Sequence, residues 1–218
     1  MCMPTLPLAA RLRRRTHRDV AEAQDLMLLG TFDAIPQAVL HGGTAIWRCY
    51  GGNRFSEDVD FYLPLAARGE TSVLSTAFHR KGLAQQKLKE TSNAVFATFG
   101  SGPLSVRFEA SFRNVKDAVV RSYEMVDGTF TAVRTLRPEA LLAEKATAYL
   151  SRRKVRDLYD VFFLLHIAEA DAGVRKTLLG LKKSFQPPVD YGTLKAIVTT
   201  GSVPAVSDMR EEIERWAG

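Results

Sequence analysis

An α/β (α+β) fold with a helical C-terminal lobe is what this chain of 218 residues predicts, and three observations predict it. Between residues 38 and 133, short apolar runs, several of them alternating, stand between glycine-rich turns, the pattern of half-buried strands. One of these runs leads straight into a glycine pair and a helical stretch, so strand, tight turn and helix start are consecutive. From Pro138 the character changes: Ala, Leu, Glu, Lys and Arg dominate and apolar residues recur at spacings of three and four. The expected parts are 1–135, an α/β lobe, and 136–218, a helical lobe.

The elements follow in order. Residues 11–18 carry five arginines ahead of an amphipathic helical stretch through Val20, Leu26, Met27 and Phe32. That run reads either as a solvated helix end or as a contact for nucleic acid. Ala38–His41 is a short buried strand, Gly42-Gly43 the turn, and 44–50 a helix. A second glycine pair with Asn53 ends this helix, and Val59–Leu63 alternates and stops at Pro64, as a strand does. Residues 71–82 look helical. Ala94–Phe99 and Leu104–Phe112 form a hairpin around Gly100-Ser101-Gly102-Pro103, and 119–126 and 129–133 form another around Asp127-Gly128. A long helix is expected over Pro138–Ala170, and Pro187-Pro188 separates it from shorter helices ending near Trp216.

Composition narrows the function. No apolar run approaches the ~18–20 residues needed to cross a bilayer. The weakly apolar opening precedes its arginines, the reverse of a secretory signal, so a cytoplasmic protein is expected. Cys2, Cys49 and four histidines show no disulfide framework and no zinc spacing. The 30 Lys and Arg against 24 Asp and Glu leave a net charge of +6, which suits an anionic partner such as a nucleotide or nucleic acid.

The chemistry concentrates in residues 41–63, where a glycine turn at a helix start is followed by Asp58 and Asp60. Backbone N–H groups at such a turn hold a phosphate without blocking side chains. Two aspartates one residue apart on a strand share a face, where they can share divalent ions. Phosphoryl and nucleotidyl transfer need that combination, and a third carboxylate usually completes the cage. Glu109, the carboxylate inside the strongest later strand, is the candidate third ligand or base; a solvent-facing residue is the alternative. The sequence lacks a P-loop ending, a GxGxxG, kinase motifs and a GxSxG elbow.

Gly42-Gly43-Thr44-Ala45 followed by Arg54-Phe55-Ser56-Glu57-Asp58-Val59-Asp60-Phe61 resembles the GG[ST]-x-DxD signature of DNA polymerase β-type nucleotidyltransferases, specifically the AbiEii toxins. Lys145–Arg152 is similar to that family's KxxAxxxR helix motif and Arg156–Asp160 to its RDxYD motif. The resemblance covers roughly residues 38–165.

It implies a polymerase β-like palm with a mixed sheet and flanking helices, closed by the helical lobe. Asp58 and Asp60 would bind one or two Mg²⁺. Gly42, Gly43, Thr44 and Ser56 would touch the nucleotide phosphates, and Lys145 and Arg152, on one helix face with Ala148, would reach the triphosphate. Asp157 would position Lys145 or assist deprotonation, while Asp160 would orient Arg156. The implied reaction moves a nucleoside monophosphate from an NTP, CTP or UTP by family, to RNA, the 3′ end of tRNA above all. The implied setting is a toxin–antitoxin pair acting in growth arrest or abortive infection, with a cognate antitoxin as partner and no membrane. A protein or small-molecule hydroxyl as acceptor, or a non-catalytic RNA-binding module of the same fold, are the alternatives.

Overall fold

The computed structural model of the chain describes residues 7–100 and 104–218. In order these form α1 (Leu8–Arg11), α2 (Arg15–Ala34), β1 (Val39–His41), α3 (Gly42–Cys49), β2 (Val59–Leu63), α4 (Ser72–Arg80), β3 (Ala84–Glu90), β4 (Ala94–Gly100), β5 (Val106–Phe112), β6 (Val119–Glu124) and β7 (Phe130–Thr135). The C-terminal third is α5 (Pro138–Arg152), α6 (Val155–Leu165), α7 (Ala172–Lys183), α8 (Leu194–Ile197) and α9 (Val206–Ala217). Cys2 and most of the turn expected at 100–103 lie outside the described residues.

The strands make one sheet in the order β3-β4-β5-β2-β1-β7-β6. It is mixed: β2 pairs with β5 and β1 with β7 in parallel, and the other neighbours are antiparallel. Period-two alternation divides its faces. Val59, Phe61 and Leu63 of β2 and Val106, Phe108, Ala110 and Phe112 of β5 are buried, while Asp60, Arg107 and Glu109 point to the opposite side. On the buried face lie α2 and α4, with Phe78 of α4 set edge-on to Phe99 at 4.6 Å and Phe108 at 5.3 Å. Burying each such ring is worth about 1.5–3 kcal/mol, so this face fixes the register that sends the acids to the other.

One apolar cluster runs from Met27 and Phe61 through Leu141 and Leu158 to Ile213, so sheet and C-terminal helices share a core. A smaller one, including Leu8, Leu12, Trp47 and Phe55, fastens α1 beside α3.

One strand lies where the sequence predicts no element, and one expectation needs correction. The polar stretch Ala84–Glu90 is a strand, β3, at the sheet edge; its residues are nearly all exposed, so no alternation marked it. The long helix expected to Ala170 is two helices. Arg153 takes a left-handed conformation (φ 50°, ψ 39°) and donates its N–H to Tyr149 O at 2.7 Å, closing α5. The new start is capped from a distance, because the N–H of Val155 donates to Asp190 Oδ1 at 2.8 Å.

Candidate active site

Pairing of β2 with its neighbours puts Asp60 directly beside Glu109 on one side and His41 on the other. Asp58 stands one residue ahead of the strand rather than in it. Its carboxylate accepts two hydrogen bonds from Arg107, from Nε at 2.7 Å and Nη2 at 3.0 Å. Asp60 and Glu109 are both held above the usual carboxylate range. For Asp60 the cause is burial, opposed by His41 and Lys145 and reinforced by the charge of Asp58. For Glu109 it is burial, then the charges of Asp60 and Asp58. Three acids therefore repel one another across adjacent strands.

The glycine turn explains how tightly they are set. Gly42 has φ +72°, a left-handed conformation, and a Cβ there would stand 2.1 Å from Asp60 Oδ2. A Cβ on Gly43 would come within 2.6 Å of Ser56 Oγ and 2.7 Å of Arg54 Nη2. Both glycines are required so that the N-terminus of α3 can lie against the acids and the basic cluster. Thr44 is fully buried, and its hydroxyl donates to Asp58 O at 2.5 Å. It fixes the Asp58 loop and, among the described residues, does not line the cleft.

Opposite the acids lies an ion cluster built on the buried carboxylates of Asp157 and Asp160. Arg54 makes a two-pronged contact with Asp160, which also accepts from Lys145 Nζ at 2.9 Å. Arg152 makes a second two-pronged contact with Asp157, at 2.7 and 2.8 Å, and Lys145 Nζ stands 3.6 Å from Asp157 Oδ1. Burial alone would raise Asp160, but the charges and hydrogen bonds of Arg54 and Lys145 outweigh it and hold this carboxyl below the usual range. Both oxygens of Asp157 are taken by Arg152, the geometry of a positioning residue.

The expected pairing of Asp160 with Arg156 does not form among the described residues. Arg54, from the loop before β2, reaches Asp160 first, and Arg156 instead lines the cleft with a charge felt by Asp60. Arg54 stands in the glycine–aspartate motif and Arg107 in a strand, and nothing local to either marks these contacts. No spacing rule links Arg54 to Asp160, 106 residues away.

Between the acids and the cluster is a narrow cleft of about 160 Å³, lined by five cations, three acids, Gly43 and Ser56. A cavity of about 610 Å³ adjoins it and shares Asp60, Lys145 and Arg152. There His41 stacks on Tyr62, ring centres 3.9 Å apart, and both bond to Glu144, His41 Nδ1 at 3.1 Å and the Tyr62 hydroxyl at 2.6 Å. Among the described residues no three acid, His or Cys side chains are gathered closely enough to hold a metal as they stand; Asp58 is committed to Arg107.

The class of fold is that of the nucleotidyltransferase toxins, as a solved structure with this layout of sheet and helices shows. MenT4, a nucleotidyltransferase toxin from Mycobacterium tuberculosis H37Rv, superimposes with a TM-score of 0.61 at 17% identity, over 98% of this chain and 89% of that one. ANT(2″)-Ia, an antibiotic-resistance factor, does so with a TM-score of 0.50 at 15% identity, over 76% and 93%. Residues 28–187 match the family described as nucleotidyl transferase AbiEii toxin of type IV toxin–antitoxin systems, and the chain belongs to that family. No protein with a curated description matches it.

Proposed function

We propose that this cleft transfers a nucleoside monophosphate from an NTP to a hydroxyl at the end of an RNA, the 3′ end of a tRNA as first choice, with release of pyrophosphate. The observation that carries the reading is the cleft itself, lined on one side by three carboxylates with Arg107 among them and on the other by Arg54, Lys145, Arg152 and Arg156, with Gly43 beside them. An acid wall suits cations that accompany a triphosphate, and a basic wall suits the triphosphate.

The donor set fits a hard divalent cation such as Mg²⁺. It offers carboxylate oxygens only, and Asp60 and Glu109 are held high first by burial and then by the charge of neighbouring acids, both of which a bound cation would offset. Asp58 joins them when Arg107 releases its carboxylate. Bound there, one or two ions would neutralise charge at the reacting phosphate.

The chain's own groups then divide the work. Lys145, Arg152 and Arg156 bind the phosphates, stabilising charge that develops on departing pyrophosphate. Gly43 and the N-terminus of α3 admit a phosphate oxygen to backbone N–H groups. Asp157 holds Arg152 and steadies Lys145. The 610 Å³ cavity takes the nucleoside, which leaves the Glu109 side of the cleft for the attacking hydroxyl. CTP or UTP as substrate, a cytoplasmic setting and a role in abortive infection belong to the same proposal; the toxin–antitoxin family implies an antitoxin partner.

One assay tests it. Each α-labelled NTP is incubated with total RNA, with the protein alone and with aminoglycoside-type small molecules, with Mg²⁺ or with a chelator. Label is expected in small RNA and only with Mg²⁺. Label confined to protein or small molecules would move the acceptor, and no label anywhere would remove the catalytic reading.

A further inference from the structure

The same strand pairing that sets Asp60 beside Glu109 continues outward across the sheet. Phe96 of β4 stands opposite Glu109, and Lys89 of β3 opposite Phe96. One row on one face therefore runs Lys89, Phe96, Glu109, Asp60. The parallel row runs Lys87, Thr98, Arg107, and Arg107 reaches Asp58. The acids of the cleft are thus the inner end of two rows whose outer end is basic and aromatic.

This outer face is exposed. Phe96 is 46% accessible, a large value for a phenylalanine in the middle of a strand, and Lys87, Lys89 and Arg107 are exposed around it. A shallow groove of about 460 Å³ runs along it and shares Arg107 and Glu109 with the cleft. The other side of β4 is apolar and packed, with Val95, Ala97 and Phe99 buried. A phenylalanine on the solvent side among cations is not needed by that core.

We infer that the open face of β3, β4 and β5 is the track along which the single-stranded end of the acceptor RNA enters the cleft. This rests on the RNA-acceptor reading above and assigns it a surface. Lysines along a groove neutralise backbone phosphates, and an exposed aromatic ring gives a base a stacking platform without demanding a sequence. The strand rise of about 3.3 Å per residue and the spacing of about 4.8 Å between strands put Phe96 two strands from Asp60, roughly 10 Å, a nucleotide or two from the reacting hydroxyl. The face is continuous with the side of the cleft that the NTP leaves free. An antitoxin would meet the same surface, but a protein partner gives no reason for a groove that leads to the catalytic acids.

The test measures binding of a labelled RNA with a single-stranded 3′ end across a salt series, for wild type, Lys87→Ala with Lys89→Ala, Phe96→Ala, Phe96→Leu, and the triple Arg13→Ser, Arg14→Ser, Arg15→Ser. NTP affinity and thermal stability are read alongside. The lysine pair is expected to lower the salt slope by about 1.4, at ~0.7 per phosphate on single strands. Phe96→Ala should weaken RNA binding about tenfold or more at unchanged slope, and Phe96→Leu, which keeps the apolar bulk, should hold stability yet still lose affinity. NTP affinity stays as in wild type. If wild type binds RNA and the lysine and phenylalanine variants bind it equally, whatever the arginine triple does, the track is elsewhere and the inference falls while the transferase reading stands. If wild type binds no RNA but labels another acceptor, the RNA reading and the track fall together.

Discussion

The acids of this site are held in opposite ways, Asp60 without a bonded partner among the described residues and Asp160 by Arg54 and Lys145, and that decides what their removal does. Asp60 is a carboxylate raised by burial and by like charge, so it is kept at the expense of stability. Asp60→Asn should abolish label transfer while leaving the melting temperature unchanged or higher, because a repelled buried charge is gone. A melting temperature that falls by more than a few degrees would show that Asp60 is holding the fold together. Asp160 has the opposite balance. Its folded value lies below its unfolded value, so its contribution to stability is present above about pH 4 and is lost as pH falls through the folded value. Asp160→Asn should therefore be less stable than wild type at pH 7 and lose less on acidification. Parallel acid limbs in the two unfolding profiles would rule this out. Truncation to Ala leaves Arg54 and Lys145 without their shared partner and should cost about 3–5 kcal/mol.

Among the elements, those with a local signature were legible and those made by distant partners were not. Strand β2, the glycine turn and α3 are marked by alternation and by Gly42-Gly43, because each is dictated by its own residues. Strand β3 exists only because β4 is beside it, so its polar sequence gave nothing to read. The break at Arg153 has no glycine or proline, and its cause, Asp190 capping α6, lies 37 residues on. Likewise Asp58, Asp60 and Lys145 are legible by motif and Glu109 by its place in a strand, whereas the contacts of Arg54 and Arg107 need the sheet register and the helix packing. The break makes a prediction of its own. A non-glycine residue in the left-handed region costs about 1–2 kcal/mol, partly offset because glycine has more freedom to lose on folding. Arg153→Gly should thus gain about 0.5–1 kcal/mol, a rise in melting temperature of about 1–4 °C, with transfer unchanged. A fall would mean that the hydrogen bond from Arg153 to Gln186 outweighs the backbone cost.

Across the whole molecule the net charge of +6 is unevenly committed. Of the N-terminal arginines, Arg11 pairs with Glu124 and Arg18 bonds to the carbonyls of Ala9 and Leu12. Arg13, Arg14 and Arg15 are exposed at the start of α2, and His17, one turn in, stacks on Phe55 beside Ser56 of the cleft. These three are therefore close enough to the site to steer a polyanion. Replacing all three by Ser should slow RNA association and lower the salt slope by up to about two, with NTP affinity untouched. Stopped-flow binding at several salt concentrations checks this, and identical rates would make the run a solvated helix end.

The order of the strands has a consequence of another kind. A sheet that never closes on itself ends in two strands with a free row of N–H and C=O groups, and among the described residues these are β3 and β6. Such rows accept strands from other copies, which is how ordered aggregates begin. At the β6 end Val120 and Phe130 are about two-thirds exposed, with Arg121 beside them. At the β3 end Lys87 and Lys89 stand along the row. Their like charge keeps two copies from zipping edge to edge, whatever else the lysines bind. Solubility at high concentration therefore depends on the same two side chains that make this strand hard to see in the sequence, and apolar replacements there would give a chain that folds and then precipitates.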